Sequence, residues 1–240
     1  MLQEYSNGDL YMEEIMTVTI ELEEKARKIS SFRSRMKAYL TRFGACYDKF
    51  TVTENDTLLG YISETAVSNY LINNYGDKVE VRHWADSFDM ERINRAVEQN
   101  NSDANEIEYV KNYFYDKYDL EIIEKISKKS IFVDVKTAET SKKPEKTWDF
   151  LYPVVQNRRE GKDCVVLCYY YKIDKSKKII LVGYISEKEI SCKQILRAGT
   201  KTKFGTVNQI DNYETKMTDY QHLSKMLKTY YKYTRRQQDE

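Results

Sequence analysis

The chain has 240 residues, with 39 Lys and Arg set against 38 Asp and Glu, and a formal net charge of +1. That balance excludes a uniformly basic coat for nucleic acid and a polyanionic disordered chain. At this length, 41% apolar and 13% aromatic residues suffice for a sizeable core, in one large domain or a core with small additions. No run approaches the roughly 20 apolar residues needed to cross a bilayer. Glu4 and Asp9 stand where a signal peptide would be basic. The expectation is a cytoplasmic protein with no membrane partner. Cys46, Cys164, Cys168 and Cys192 form no C-x-x-C pair, and His83 and His222 are distant from them in sequence, so reduced core thiols are expected rather than zinc.

From Thr17 to Phe43, apolar residues at helical spacing are interleaved with Arg27, Lys28, Arg33, Arg35, Lys37 and Arg42. This predicts a cationic amphipathic helix, whose basic face is either simply solvated or a phosphate-contacting surface. A second helix is predicted from Ser63, as its cap, to Tyr75, closed by Gly76, with Glu64 in its first turn. Lys78 to Trp84 alternates as a strand. Helical turns follow over 91–97 and 106–115, with an exposed loop between them. Tyr118 to Glu124 and Ser130 to Thr137 are strand candidates joined by the polar turn Lys125 to Lys129. A lysine-bearing loop, Ala138 to Lys146, leads into a short helix starting near Thr147. Asp163 to Ile173 and Lys178 to Ile185 predict a hairpin, and a basic helix from Thr218 to Arg236 ends the chain. The organisation expected is an N-terminal helical segment (1–57), a core (58–195) and a C-terminal loop with basic helix (196–240), forming one globular unit.

Side chains two apart share a face of a strand. Asp119 and Glu121 therefore point one way in the first hairpin, and Tyr118, Leu120 and Ile122 the other. On the partner strand Ile131, Val133 and Val135 form the apolar face, with Asp134 and Lys136 projecting together from the opposite one. An antiparallel turn brings two or three carboxylates and one amine together. Clustered like charges are costly unless offset, and a hard divalent cation with oxygen ligands offsets them. Lys136 would then stand beside a metal-bound water, able to orient it or help deprotonate it, and to offset charge on a phosphate.

Asp119, a 14-residue spacer and then Asp134-Val135-Lys136 resemble the PD-(D/E)xK nuclease superfamily, which includes type II restriction endonucleases. In that family a helix ahead of the hairpin carries a glutamate facing the metal, which Glu64 matches. A helix and a second strand pair follow the lysine, which Thr147 to Gln156, Cys164 to Tyr171 and Ile179 to Ile185 match in order. Tyr118 stands where the family has proline. The resemblance covers about residues 58–190. It implies an α/β fold with a restriction-endonuclease-like core, a central mixed β-sheet flanked by α-helices. It also implies Mg²⁺, with Mn²⁺ as a substitute, on Asp119, Asp134 and the Val135 carbonyl, Lys136 next to the attacking water, and Glu64 completing the site. A one-residue change of turn would set Glu121 rather than Asp119 opposite Asp134.

The acid-x-Lys tripeptide also occurs at Glu23, Glu160 and Glu214, but only Asp134 lies on an apolar-alternating strand with an acidic partner strand before it. Gln156 is a substrate-binding candidate. So are Lys142, Lys143 and Lys146, and a C-terminal patch of Lys225, Lys228, Lys232, Arg235 and Arg236 interleaved with Tyr230, Tyr231 and Tyr233. No P-loop, dinucleotide fingerprint or G-x-S-x-G is present. The function expected is a Mg²⁺-dependent endonuclease acting on DNA, with RNA as another substrate open to it, and a homodimer if it cuts both strands. The alternative is a non-catalytic nucleic-acid-binding or interaction protein of the same fold.

Overall fold

In the computed structural model, which describes residues 12–46, 53–157, 161–201 and 207–228, the elements are β1 (Glu13–Thr17), α1 (Ile20–Arg42), α2 (Glu54–Tyr75), β2 (Val79–His83), α3 (Met90–Glu98), α4 (Ala104–Phe114), β3 (Leu120–Glu124), β4 (Ser130–Thr140), β5 (Asp149–Pro153), α5 (Val154–Asn157), β6 (Cys164–Ile173), β7 (Ser176–Ser186), α6 (Glu187–Ser191), β8 (Ile195–Leu196) and β9 (Asn212–Lys216). A last helical segment covers 223–228.

The continuous apolar run of β6 is buried on both faces and forms the middle of a six-stranded sheet in the order β1-β7-β6-β4-β3-β2. β2, β3 and β4 make an antiparallel meander. β4 and β6 run parallel, and β6 returns through β7 as a hairpin, so the sheet is mixed. Alternation divides its side chains between two layers. Ile131, Val133 and Val135 of β4 and Val166 and Cys168 of β6 meet Leu59, Ile62 and Ala66 of α2 on one face. Val165, Leu167 and Tyr169 of β6 meet Tyr152, Ile190 and Tyr213 on the other, beneath the small sheet β5-β9-β8. Each fully buried aliphatic side chain contributes roughly 1.5–3 kcal/mol, so these two layers dominate the stabilisation. The C-terminal half of α1 buries Met36, Tyr39 and Leu40 against α3 and α4 in a third cluster. No helix among the described residues is long and apolar enough to cross a membrane.

Several expectations are corrected. The cap of α2 is Thr53, whose Oγ1 accepts from Asp56 N while Asp56 Oδ2 accepts from Thr53 N, and not Ser63. Ser63 lies buried in mid-helix, with Glu64 half-buried beside it. Burial of Leu58, Leu59 and Ile62 carries the helix through Asn55, Asp56 and Gly60, which have weak helix preference. The segment expected to be a helix from Thr147 is mostly strand: β5 pairs over its whole length with β9, and only α5 forms a single helical turn. That partner lies some 60 residues later, so local preference could not reveal it. β4 continues to Thr140 because β6 offers Tyr169, Tyr170 and Tyr171 as parallel partners there. β1 was not expected, and its pairing with β7 draws the N-terminal segment into the main sheet. Lys225 and Lys228 lie in the last helical segment, whereas Tyr230, Tyr231, Lys232, Tyr233, Arg235 and Arg236 fall outside the described residues.

Gly183 sits at the irregularity where β7 shifts register against β6, with φ of 145°, and its backbone lies against the carbonyl of Gln221. A side chain there would collide with that carbonyl and disrupt the bridge between Tyr184 and Gln221 that seats the last helical segment. Gly183→Ala should lower the unfolding free energy by about 2 kcal/mol or more, measured by urea denaturation.

Candidate active site

β3 begins at Leu120, opposite Val133, so Asp119 lies level with Asp134 at the point where β3 leaves the ladder. Asp119 N donates to Val133 O at 2.9 Å, and Val135 N donates to Asp119 Oδ2 at 2.5 Å. Backbone groups of alternate strand residues face the same neighbour, so Val135, like Val133, faces β3. The Asp119 carboxylate therefore takes the place of the missing backbone partner. The same register places the Val135 carbonyl beyond the last β3 pair, on the Asp119 side. Glu121 is level with Phe132 and accepts from Ser130 Oγ at 2.5 Å. Of the two acids that the sequence left open, Asp119 is the one opposite Asp134. Tyr118, expected on the core side, instead packs against Trp84 and Phe132, with ring centroids 5.0 Å and 4.6 Å away, because the strand alternation does not reach it.

Asp134 and Lys136 project from the face of β4 that carries Val165 and Leu167 on β6, as the alternation predicts. Lys136 Nζ is 3.0 Å from both Asp134 oxygens. Tyr152 OH donates to Asp134 Oδ2 at 3.0 Å. Lys162 Nζ donates to Tyr152 OH at 2.7 Å and stands 3.5 Å from Asp134 Oδ2, with its side chain only 4% exposed. Burial pushes the Asp134 carboxyl up, but Lys136 and Lys162 outweigh it and hold it below the usual carboxylate range. Burial pulls Lys136 down, yet Asp134 and Asp119 raise it, so its ammonium stays protonated throughout the neutral range. Lys162 is lowered by burial.

Glu64 approaches from α2. It shares one cleft of about 2230 Å³ with Asp119, Asp134, Val135, Lys136 and Gln156. Burial and the charge of Asp116 push its carboxyl up to about 7, against the opposing pull of Arg33 and Lys136. Burial, then Glu64 and Asp134, raise Asp119 well above the usual range. Arg33 and Asp116 form an ion pair at 3.2 Å beside these acids, and the Arg33 guanidinium lies 4.9 Å over the Phe114 ring. The site thus holds one acid neutralised by two lysines and two acids that are not fully compensated.

Among the described residues no three Asp, Glu, His or Cys side chains form a ready metal-holding group. The oxygen set nevertheless fits Mg²⁺, which needs only one or two carboxylates and takes its other ligands from water and a substrate phosphate. Asp119 and Asp134 would be those carboxylates, with the Val135 carbonyl on the Asp119 side, and the raised Asp119 and Glu64 carboxyls are what a nearby cation would lower. Gln156 reaches the cleft from α5, and its Oε1 is buried without a partner, so it can accept a substrate donor. Lys142, Lys143 and Lys146 are exposed and do not line the cleft. Asp134 is six residues from the end of β4, so at roughly 3.3 Å per residue the strand carries the chain about 20 Å from it before the loop with these lysines begins. Of the other acid-x-Lys sites, Glu23 is engaged by Tyr170 and Lys177, Glu214 lies on β9, and Glu160 is outside the described residues.

Sequence reasoning missed Arg33, Asp116, Tyr152 and Lys162 as parts of the site. Arg33 appeared as one base among several on a helix. The other three carry no local signal: the pattern around Tyr152 predicts a helix, Lys162 lies in a polar connection, and Asp116 lies between α4 and β3. No family model, no curated protein and no solved structure matches this chain.

These contacts set the outcome of three substitutions. Lys162→Met should destabilise the fold by roughly 1–3 kcal/mol, and Tyr152→Phe by about 1 kcal/mol, in chemical denaturation at neutral pH. The Lys162 effect should fade as the pH falls below the ordinary Asp value of 3.8 and Asp134 takes up its proton, because a depressed folded pKa stabilises only above the unfolded one. Glu64 behaves oppositely. Its folded pKa near 7 exceeds the ordinary 4.5, so its contribution is full below 4.5 and is lost as the pH rises through 7. Glu64→Gln should therefore flatten the decline in melting temperature across that window in metal-free buffer.

Proposed function

We propose that the chain is a metal-dependent nuclease that hydrolyses phosphodiester bonds in DNA, with a core of the restriction-endonuclease-like kind. The observation that supports this most is the convergence of Glu64, Asp119, Asp134, Val135 and Lys136 in one cleft, although they come from three elements. The order of α2, the β2-β3-β4 meander, a crossover and β6 parallel to β4 also agrees with the order that the resemblance implies. The crossover carries only one helical turn, preceded by β5.

Bound Mg²⁺ would supply Lewis acidity toward the phosphodiester and lower the pKa of its water. The chain's own residues divide the remaining work. Asp119, Asp134 and the Val135 carbonyl would hold the metal. Lys136 stays protonated, so it serves as a hydrogen-bond donor that orients the attacking water and offsets charge on the phosphoryl oxygens, and not as the base. Burial and the charge of Asp116 raise the Glu64 carboxyl to about 7, which suits it to the role of proton acceptor. Water oxygen attacks phosphorus in line as the opposite P–O bond breaks, and the products are a phosphomonoester and a free hydroxyl.

The test is cleavage of supercoiled plasmid with Mg²⁺ or Mn²⁺ by the wild type, Asp134→Asn and Lys136→Gln. Asn keeps the shape of Asp134 without its charge, Gln replaces the Lys136 ammonium with a neutral amide, and each should reduce the rate by about 100-fold or more. Cleavage that survives both would refute this assignment of the site.

A further inference from the structure

The cleft extends from the candidate site to one face of α1. Lys25, Lys28, Phe32 and Arg35 follow one another at intervals of three, four and three residues, which sets them in a single helical stripe, and all four line the same cleft as Asp119, Asp134 and Lys136. The stripe rises about 15 Å, at 1.5 Å per residue. One DNA strand presents a phosphate about every 3.4 Å of helix axis, so the stripe spans about four of them. We infer that this stripe of α1 is the surface that holds the backbone of duplex DNA across the candidate site; the inference rests on the nuclease reading for its substrate class.

The side chains are built for that task. Lys25 and Lys28 are exposed. The Lys25 ammonium lies 5.8 Å from the centroid of the Tyr61 ring, and the Arg35 guanidinium 5.1 Å from that of Phe32, so aromatic rings brace both bases and the charge remains in water. Arg35 also pairs with Glu98 at 3.8 Å, but both side chains are more than half exposed, and such a pair contributes little and exchanges readily for a phosphate. Glu54 and Asp56 share this wall and are engaged elsewhere. Glu54 Oε1 accepts from Ser34 Oγ at 3.1 Å, and Asp56 closes the cap of α2. Phe32 is half-buried and covered by Arg35, so the stripe itself offers charge to a backbone and no free ring to an unpaired base. The contacts are to phosphate alone and carry no sequence preference.

The experiment is fluorescence anisotropy of a labelled duplex with the full chain in EDTA, which prevents cleavage, across a range of KCl concentrations. Removing three phosphate contacts by Lys25→Ala, Lys28→Ala and Arg35→Ala together should lower the slope of log affinity against log salt by about 2.7 and weaken binding roughly tenfold or more. The corresponding Lys→Arg changes at 25 and 28 should restore it. An unchanged slope in the triple variant would overturn the inference, as would loss of the slope on neutralising Lys142, Lys143 and Lys146 instead. Failure of the wild type to bind the duplex, or preferential binding of single-stranded RNA of equal length, would also overturn it. Plasmid cleavage is scored separately. A wild type that binds through α1 but never cleaves would refute the nuclease reading and leave this surface standing; cleavage with an unaffected triple variant would do the reverse.

Discussion

The architecture around the cleft depends on one buried carboxylate. Asp134 lies on β4, between the meander and the parallel partner β6, where an uncompensated charge would cost several kcal/mol. Lys136 meets both its oxygens, Tyr152 donates to one, and Lys162 stands behind Tyr152. These contacts bring together β4, the small sheet and the connection into β6. A carboxylate that lines the candidate site is thus also a tie between layers.

Its neighbours are in the opposite condition. Asp119 and Glu64 are raised by burial and by nearby carboxylates, with Lys136 and Arg33 offsetting only part of the cost. One site therefore contains an acid that stays ionised and two that resist ionisation, and that separation allows carboxylates to take different roles at one pH. Asp119 owes its position to a backbone event. β3 leaves the ladder at residue 120, and the side chain fills the place that the departing strand gives up at Val135 N. A strand longer by two residues at its start would supply a backbone partner there and leave the carboxylate without its anchor.

Charge distribution follows a similar logic. The nearly equal totals of acids and bases recur within one cleft, where Glu64, Asp116, Asp119 and Asp134 share the lining with Lys25, Lys28 and Arg35 of α1. The lysines that follow Lys136 most closely in sequence are carried away from it by the length of β4. Lysines more than a hundred residues earlier are brought into the same cleft. Distance along the chain was a poor guide to distance in space, because a strand carries residues apart faster than any other regular element.

The sequence by itself determined the meander strands, the facing of Asp134 and Lys136, the apolar β6 and β7 hairpin and the amphipathic α1, because each is fixed by a period of two or 3.6 within a single segment. It also singled out Asp134-Val135-Lys136 from the other acid-x-Lys tripeptides through the same alternation. Tertiary structure alone decided that Asp119 rather than Glu121 is level with Asp134, which depends on where two strands part. It alone made 149–153 a strand, through pairing with β9, and placed Tyr152 and Lys162 on Asp134. α2 starts after Thr53 through a local cap with Asp56, and burial of Leu58, Leu59 and Ile62 carries it through the weak helix formers that follow. Periodicity is a property of one segment, whereas pairing partners, burial and the neutralisation of a charge belong to segments that meet only when the chain has folded.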